Sequence, residues 1–199
     1  ALMAMASAVA SAKRGAALHF YVLCNGAAAD ELARRMPTLL ALADEERITV
    51  RVTLGDIKWP AYLEEGAASH FKPCACVRLF LGELLPGDWN AGQVLYIDTD
   101  VLFVADPELV YADAVAALGS TAFVAAAAEH GDLISSSFDA YYNATDLPRA
   151  WADDGANTGV LALDLDRSAA ASLSAWLVQT RATLDRLNNA TAYALVFFT

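Results

Sequence analysis

Hydrophobic and polar positions along this chain switch repeatedly between two periods, one typical of helices and one typical of strands. Short apolar runs rich in β-branched and aromatic residues are separated by longer stretches in which apolar residues recur every three or four positions. This alternation predicts a layered α/β domain with a largely parallel sheet. Strands are expected at 18–24, 48–54, 94–97, 122–128 and 160–165, and helices at 1–12, from 30, within 69–85, from 106 and over 168–187.

Local chemistry sharpens several of these elements. Asp30 is predicted to cap the second helix, and Pro107 after Asp106 is typical of a first helical turn. His19 and Cys24 lie in or at the end of an apolar strand, so we expect a core histidine and a buried thiol. The apolar residues predicted to form the buried side of the second helix are Leu32, Met36, Leu39, Leu40 and Leu42.

Composition and charge exclude some classes of protein. The chain has 199 residues, with 13 Lys and Arg against 24 Asp and Glu, so its formal net charge is −11. Nucleic-acid binding is not expected, because it requires clustered basic residues. No apolar run reaches the roughly 18 residues of a membrane span. Three cysteines are too few and too unevenly spaced for a zinc site or a disulfide framework.

The most informative segment is residues 94–103, where an apolar run leads directly into Asp98, Thr99 and Asp100. Residues two apart in an extended chain share one face, so the two carboxylates are expected to lie close together and to repel unless a cation offsets them. Paired carboxylates suit Mg²⁺ or Mn²⁺, which keep coordination positions for substrate phosphates. The carboxyl end of a strand is also where open α/β sheets bind ligands. The alternative interpretation is a solvated turn.

Residues 95–103 (Leu-Tyr-Ile-Asp-Thr-Asp-Val-Leu-Phe) resemble the Asp-x-Asp segment of glycosyltransferase family 8, the retaining nucleotide-sugar transferases. Further matches occur in the same order, and they are most similar to the glucoside and xyloside xylosyltransferase branch. These matches are residues 71–74 (Phe-Lys-Pro-Cys), 78–81 (Arg-Leu-Phe-Leu), 128–130 (Ala-Glu-His), 142–143 (Tyr-Asn) and 157–161 (Asn-Thr-Gly-Val-Leu).

The resemblance implies roles for particular residues. Asp98 and Asp100 would bind Mn²⁺ (or Mg²⁺) and the diphosphate of a UDP-sugar, beside Thr99 in the same donor site. Arg78 would contact the donor sugar or phosphate; the alternative is a surface arginine in an exposed ion pair. Asn157 would donate an amide hydrogen bond to the donor sugar, and its alternative is an Asx turn before Gly159. No catalytic base or nucleophile is assigned.

The resemblance also implies a Rossmann-like fold of the GT-A type, with a mixed, mainly parallel sheet and flanking helices. Residues 1–199 would form part of such a catalytic domain, without its first strand and without the C-terminal part that carries a metal-binding histidine. The expected reaction transfers a sugar, xylose first and glucose or galactose as alternatives, from UDP to an acceptor hydroxyl, with a glycan on a protein as the expected acceptor. By analogy the protein would lie in the Golgi or ER lumen as a type II membrane protein.

Two alternatives stay open. Haloacid-dehalogenase-like phosphohydrolases also place Asp-x-Asp after an apolar strand, and there Asp98 would be the nucleophile and Asp100 the acid/base. In those enzymes the motif ends the first strand, whereas two strand candidates precede it here. The other alternative is a transferase domain that keeps the fold and lacks activity. Among the histidines, His130 is the candidate we would test as a site residue.

Overall fold

The computed structural model describes residues 1–57, 78, 81–85, 92–128 and 156–170. Several predictions concern residues outside these ranges. They include His130, the resemblance segments 71–74 and 142–143, and all but the first three residues of the helix expected over 168–187.

The first half of the chain forms two helices and a parallel pair of strands: α1 (Leu2–Ser11), β1 (Ala17–Leu23), α2 (Gly26–Glu46) and β2 (Thr49–Gly55). The strands pair in register from Ala17 opposite Thr49 to Leu23 opposite Gly55. Both helices contribute to one apolar core beside these strands, so this half is stabilised mainly by aliphatic packing. Its buried members are Met5, Val9, Leu32, Leu39, Ala43 and Ile48.

The start of α2 differs from the prediction. Asn25 takes the N-cap position and Asp30 lies inside the helix, because the run Ala27-Ala28-Ala29 has the highest helix propensity and extends the helix upstream. The predicted buried side is also partly wrong, since Leu40 is 46% exposed while Leu39 is fully buried.

The second half contains α3 (Leu81–Leu84), β3 (Gln93–Ile97), α4 (Pro107–Leu118), β4 (Val124–Ala128), β5 (Ala156–Asp164) and α5 (Leu165–Ala170). The sheet order is β3-β5-β4, and β5 runs antiparallel to both neighbours. Together with the parallel β1/β2 pair, the described strands therefore form a mixed α/β arrangement. The core of this half consists of Leu81, Leu161, Leu163 and Leu165, with Leu23, Val94 and Tyr96 packed against it.

The predicted start of α4 is confirmed. Pro107 occupies the first turn, and the Asp106 side chain accepts a hydrogen bond from the Glu108 backbone N–H at 3.0 Å. Strand β5 begins earlier than predicted, at Ala156, so Asn157 and Gly159 lie within it.

Helix α1 is tied to the segment that follows Asp100. The Ser11 hydroxyl donates to the Phe103 carbonyl at 3.1 Å, and the Phe103 N–H donates to the Ser7 hydroxyl at 2.9 Å. These bonds fix the path of the chain as it leaves the Asp-x-Asp segment. Within the described ranges, no helix has the length and apolarity needed to cross a membrane.

Candidate functional site

Asp98 lies at the carboxyl end of β3, where the sequence predicts it. Ile97 is the last residue of the strand and pairs with Val160 of β5. The Asp98 N–H then donates to the Gly159 carbonyl at 2.8 Å, and its own carbonyl accepts from the Val101 N–H at 3.2 Å. The backbone at Asp98 is therefore held on both sides, which fixes where its side chain starts.

The Asp98 carboxylate is held through one of its two oxygens. Tyr96 donates its hydroxyl to Oδ1 at 2.5 Å, and Arg78 donates from Nη2 to the same oxygen at 3.1 Å. Oδ2 lies 3.5 Å from Arg78 Nη2, the limit of a hydrogen bond. The Asp98 side chain is 34% exposed, so solvent or a ligand can reach it.

Arg78 is buried rather than a surface residue, so the alternative of an exposed ion pair is wrong. Its side chain is 8% exposed, and Nη1 donates to the Thr158 carbonyl. The guanidinium also stacks on the Tyr96 ring, with Cζ 4.8 Å from the ring centroid. A buried guanidinium needs a compensating charge, and Asp98 supplies it. Arg78 thus places a buried positive charge beside the Asp-x-Asp segment.

Thr99 and Asp100 follow in an exposed turn. No ion pair or hydrogen bond of the Asp100 carboxylate is found among the described residues, so this carboxylate lies open to solvent. The two acidic side chains therefore differ: Asp98 is held and partly neutralised, whereas no described residue holds Asp100.

Asn157 lies on β5, two residues before Gly159, whose carbonyl accepts from the Asp98 N–H. Its Oδ1 accepts a hydrogen bond from the Gly159 N–H at 2.9 Å, which is the local Asx bond that the sequence left as an alternative. This bond identifies the oxygen of the side-chain amide and leaves the NH₂ group as a donor. Asn157 can therefore keep its local bond to the Gly159 N–H and also donate a hydrogen bond to a ligand.

Gly159 keeps space between these two side chains. A Cβ placed there would lie 3.2 Å from Asn157 Oδ1 and 3.3 Å from Asp98 Oδ2. Both distances are shorter than normal contacts, so a larger residue would push against the open oxygen of Asp98. Tyr96 and Gly159 were not identified from the sequence as site residues, although Tyr96 lies two positions before Asp98 and therefore on the same face of the strand.

The available oxygens suit a hard divalent cation that also binds phosphate. Asp98 Oδ2 and the Asp100 carboxylate are acceptors without a short bond to a described residue. Mg²⁺ is typically held by one or two carboxylates and completes its shell with water and substrate phosphates, and Mn²⁺ prefers the same octahedral oxygen ligands. No cluster of three or more His, Cys, Asp or Glu is present within the described part, so the protein ligands found here are only these two.

A buried carboxylate, Asp164, lies at the other end of β5 and is not identified from the sequence. Its Oδ1 accepts from the Arg167 N–H at 2.9 Å, and its Oδ2 lies 3.3 Å from both Gln93 Nε2 and Arg167 Nε. The Arg167 backbone bond, followed by the Gln93 bond and the Arg167 charge, lowers the pKa of Asp164 against the opposing effect of burial. The Arg167 guanidinium reaches further, to the Gly119 and Ala122 carbonyls.

The sequence also singles out His19 and Cys24. His19 is exposed, so its predicted core position is wrong; its Nε2 lies 2.9 Å from Thr53 Oγ1. Partial desolvation and the Arg51 charge lower the pKa of His19. Cys24 is half-buried, and desolvation together with Asp56 raises the pKa of its thiol.

Comparison with known proteins supports the fold. The chain is distantly homologous to glucoside xylosyltransferase 1 of Danio rerio, with 34% identity over 114 residues that cover 57% of this chain and 26% of that protein. It also resembles the apo structure of the bifunctional glycosyltransferase WbbM, with a TM-score of 0.52, 18% sequence identity, and coverage of 82% of this chain and 29% of that one. The chain thus spans between a quarter and a third of either protein. No protein-family model matches the sequence. The predicted mixed α/β fold of the GT-A type is confirmed, and the chain is a distant homologue of a xylosyltransferase.

Proposed function

We propose that this protein is a glycosyltransferase of the family 8 type, which transfers a sugar from UDP to an acceptor hydroxyl with retention at the anomeric carbon. Xylose is the proposed sugar, because the curated homologue is named a glucoside xylosyltransferase. A glycan on a protein is the proposed acceptor. The observation that carries the proposal is Asp98 itself: a carboxylate at the end of β3 that is 34% exposed, with short hydrogen bonds at Oδ1 and no short bond from a described residue at Oδ2.

Asp98 and Asp100 would hold Mn²⁺ or Mg²⁺ together with the diphosphate of the donor. When bound, the cation would supply Lewis-acid neutralisation of the leaving diphosphate. The proposal rests on the oxygen donors and on their position at a strand end, where ligands of open α/β sheets bind.

The protein's own groups would bind and orient the donor around these carboxylates. Arg78 places a buried positive charge 3.1 Å from Asp98 Oδ1, so it can offset negative charge in a site that also receives phosphate. The Asn157 NH₂ group can donate to a sugar hydroxyl, because its oxygen is occupied by the Gly159 N–H. Thr99 lies between the two carboxylates and would form part of the donor site. These contacts would contribute mainly by fixing the donor's orientation.

The test is Mn²⁺-dependent UDP release from UDP-xylose, measured for the full-length protein and for Asp98→Asn and Asp100→Asn. We expect each variant to lose at least about a hundredfold in rate, since charge stabilisation of the leaving group is worth several kcal/mol. Asp113→Asn, in the exposed part of α4, is a matched control and should keep the wild-type rate. Phosphate release from a monoester such as p-nitrophenyl phosphate, without UDP release from UDP-xylose, would instead indicate the phosphohydrolase. Wild-type UDP binding without turnover would indicate an inactive transferase domain.

We also propose a Golgi or ER lumenal location with a type II membrane topology, on the family resemblance alone. The sequence offers two acceptor triplets for N-glycosylation, at Asn143 and Asn189. A mobility shift on endoglycosidase treatment of the protein from its native host would support a lumenal location. Absence of a glycan from both triplets, together with fractionation of the protein with the cytosol, would contradict a lumenal location.

A further inference from the structure

We propose that Tyr96 is a positioning residue for the cation site. Its hydroxyl holds Oδ1 of Asp98 by a hydrogen bond and thereby keeps Oδ2 available for the divalent cation. This inference rests on the proposed function, because it assigns a role toward the cation held by Asp98. It is carried by the geometry of three side chains, Tyr96, Asp98 and Arg78.

The three side chains form a closed triangle. Tyr96 donates to Asp98 Oδ1 at 2.5 Å, Arg78 Nη2 donates to the same oxygen at 3.1 Å, and the Arg78 guanidinium lies 4.8 Å above the Tyr96 ring. Arg78 is buried and donates to the Thr158 carbonyl as well. The surrounding fold thus fixes Tyr96 and Arg78, and Asp98 is the one of the three that reaches the exposed end of the sheet.

Arg78 alone would leave the orientation of the carboxylate open. Its Nη2 is 3.1 Å from Oδ1 and 3.5 Å from Oδ2, so a small rotation of the carboxylate would bring both oxygens onto the guanidinium. Arginine favours such two-oxygen contacts with carboxylates. The Tyr96 hydroxyl opposes this rotation, because its bond to Oδ1 is the shortest contact that Asp98 makes. The hydroxyl therefore keeps the arginine's contact with Oδ2 at the 3.5 Å limit of a hydrogen bond.

The space next to Oδ2 is kept open from the β5 side. Gly159 faces this oxygen, and a Cβ there would lie 3.3 Å from it. Oδ2, which has no short bond to a described residue, is thus also the oxygen that the neighbouring strand leaves uncovered.

A hydrogen bond to a carboxylate ligand has two opposing effects on cation binding. It withdraws negative charge from the carboxylate, which weakens the attraction for the cation, and it fixes the carboxylate's orientation, which strengthens binding. Loss of such outer partners typically costs 10- to 100-fold in metal affinity, so orientation is the larger effect. We therefore expect removal of the Tyr96 hydroxyl to weaken cation binding.

The variant that isolates the hydroxyl is Tyr96→Phe, which retains the ring under Arg78. The matched control is Tyr111→Phe, which also removes one hydroxyl bond, from Tyr111 to the Gln93 carbonyl at 3.2 Å. Mn²⁺ binding to the full-length protein is measured by electron paramagnetic resonance with saturating UDP, and Mg²⁺ and Ca²⁺ are then titrated as competitors. Thermal unfolding of the metal-free proteins is measured alongside.

We expect the Mn²⁺ dissociation constant to rise about tenfold in Tyr96→Phe and to change less than about twofold in Tyr111→Phe. The preference for Mg²⁺ over Ca²⁺ should also narrow, because Mg²⁺ demands near-ideal geometry whereas Ca²⁺ accepts flexible ligands. Wild-type Mn²⁺ binding with an unchanged constant in Tyr96→Phe would overturn the positioning role and leave the proposed function standing. An equal loss for all three cations, with a lower unfolding temperature than Tyr111→Phe, would assign Tyr96 a purely structural role. No Mn²⁺ binding by the wild type would overturn both proposals.

Discussion

Two carboxylates lie at opposite ends of the β3/β5 pair, and their surroundings differ sharply. Asp164 is nearly buried, and both of its oxygens have partners: the Arg167 backbone and guanidinium and the Gln93 amide. Asp98 is 34% exposed, and only its Oδ1 has short bonds. The same strand pair thus carries one carboxylate whose bonding capacity is used within the protein and one that keeps an oxygen available.

The difference separates a structural role from a binding role. Asp164 is the last residue of β5, and its partners come from β3 and α5. Arg167 also donates to carbonyls in the turn between α4 and β4, so this carboxylate helps to join four parts of the fold. The partners of Asp98 leave its outer oxygen facing the exposed turn of Thr99 and Asp100. Substitutions at Asp164 should therefore change stability, and substitutions around Asp98 should change binding.

The largest expected effect is on stability, in Asp164→Ala. This substitution leaves Gln93 and Arg167 without their acceptor, and we expect the free energy of unfolding to fall by about 2 to 3 kcal/mol. Asp98→Asn keeps an acceptor oxygen for Tyr96 and Arg78 but removes the charge that offsets the buried Arg78 guanidinium, so it should cost about 1 to 2 kcal/mol, less than Asp164→Ala because the Asp98 side chain is 34% exposed. Urea unfolding of both variants checks the comparison, and equal losses would contradict it.

The next effect is on binding, in Gly159→Ala. The new methyl group would press on Asp98 Oδ2 and Asn157 Oδ1, and we expect UDP affinity in the presence of Mn²⁺ to fall about tenfold, a weaker effect than loss of a metal ligand. Calorimetry measures the affinity. Ala162→Gly, in the buried part of β5, is a control that removes a methyl group instead of adding one. It should lower stability without altering UDP affinity. Unchanged UDP affinity in Gly159→Ala would show that this side of Asp98 is not part of the site.

Acid should remove the contribution of Asp164 to stability. Because hydrogen bonds from Arg167 and Gln93 lower the pKa of Asp164 in the folded state, its stabilisation is complete above the unfolded-state pKa of about 3.9 and is lost as pH falls through the folded value. The difference in unfolding free energy between wild type and Asp164→Asn should be constant above about pH 5 and shrink below about pH 4. A difference that stays constant throughout acid titration would contradict the assignment.

The smallest effect is expected at the surface of α2. Glu31 forms ion pairs with Arg34 and Arg35, but all three side chains are substantially exposed. Glu31→Gln should change the free energy of unfolding by about 0.5 kcal/mol or less, because exposed pairs gain little. Urea unfolding at low and high salt checks this. A loss as large as that of Asp164→Ala would show that burial is not the deciding difference between these carboxylates.

Much of the fold follows from local sequence patterns. The strands and the α4 start were predicted because apolar runs and the Asp106-Pro107 pair act over a few residues. Errors arose where neighbours in space decided the outcome. His19 lies in an apolar run, yet its side chain is exposed in β1 beside Thr53, and Leu40 points away from the core that Leu39 enters.

The candidate site was predictable in part. Asp98 and Asp100 were recognisable because a charged triplet directly follows an apolar strand, and Asn157 and Arg78 were identified by resemblance. The contact between Arg78 and Asp98 spans 20 residues, and spacing alone does not predict it. Asp164 and Gln93 meet through the antiparallel register of β3 and β5, which no local pattern encodes. The local signal for Asp164 was its position before a helix with Arg167 three residues later.

The most direct test of the central claim is calorimetric titration of UDP into the full-length protein with and without Mn²⁺, for wild type, Asp98→Asn and Asp164→Asn. We predict Mn²⁺-dependent UDP binding by the wild type, its retention in folded Asp164→Asn, and a loss of at least about a hundredfold in Asp98→Asn. Mn²⁺-dependent binding of equal strength in wild type and Asp98→Asn, or no UDP binding by the wild type, would contradict it.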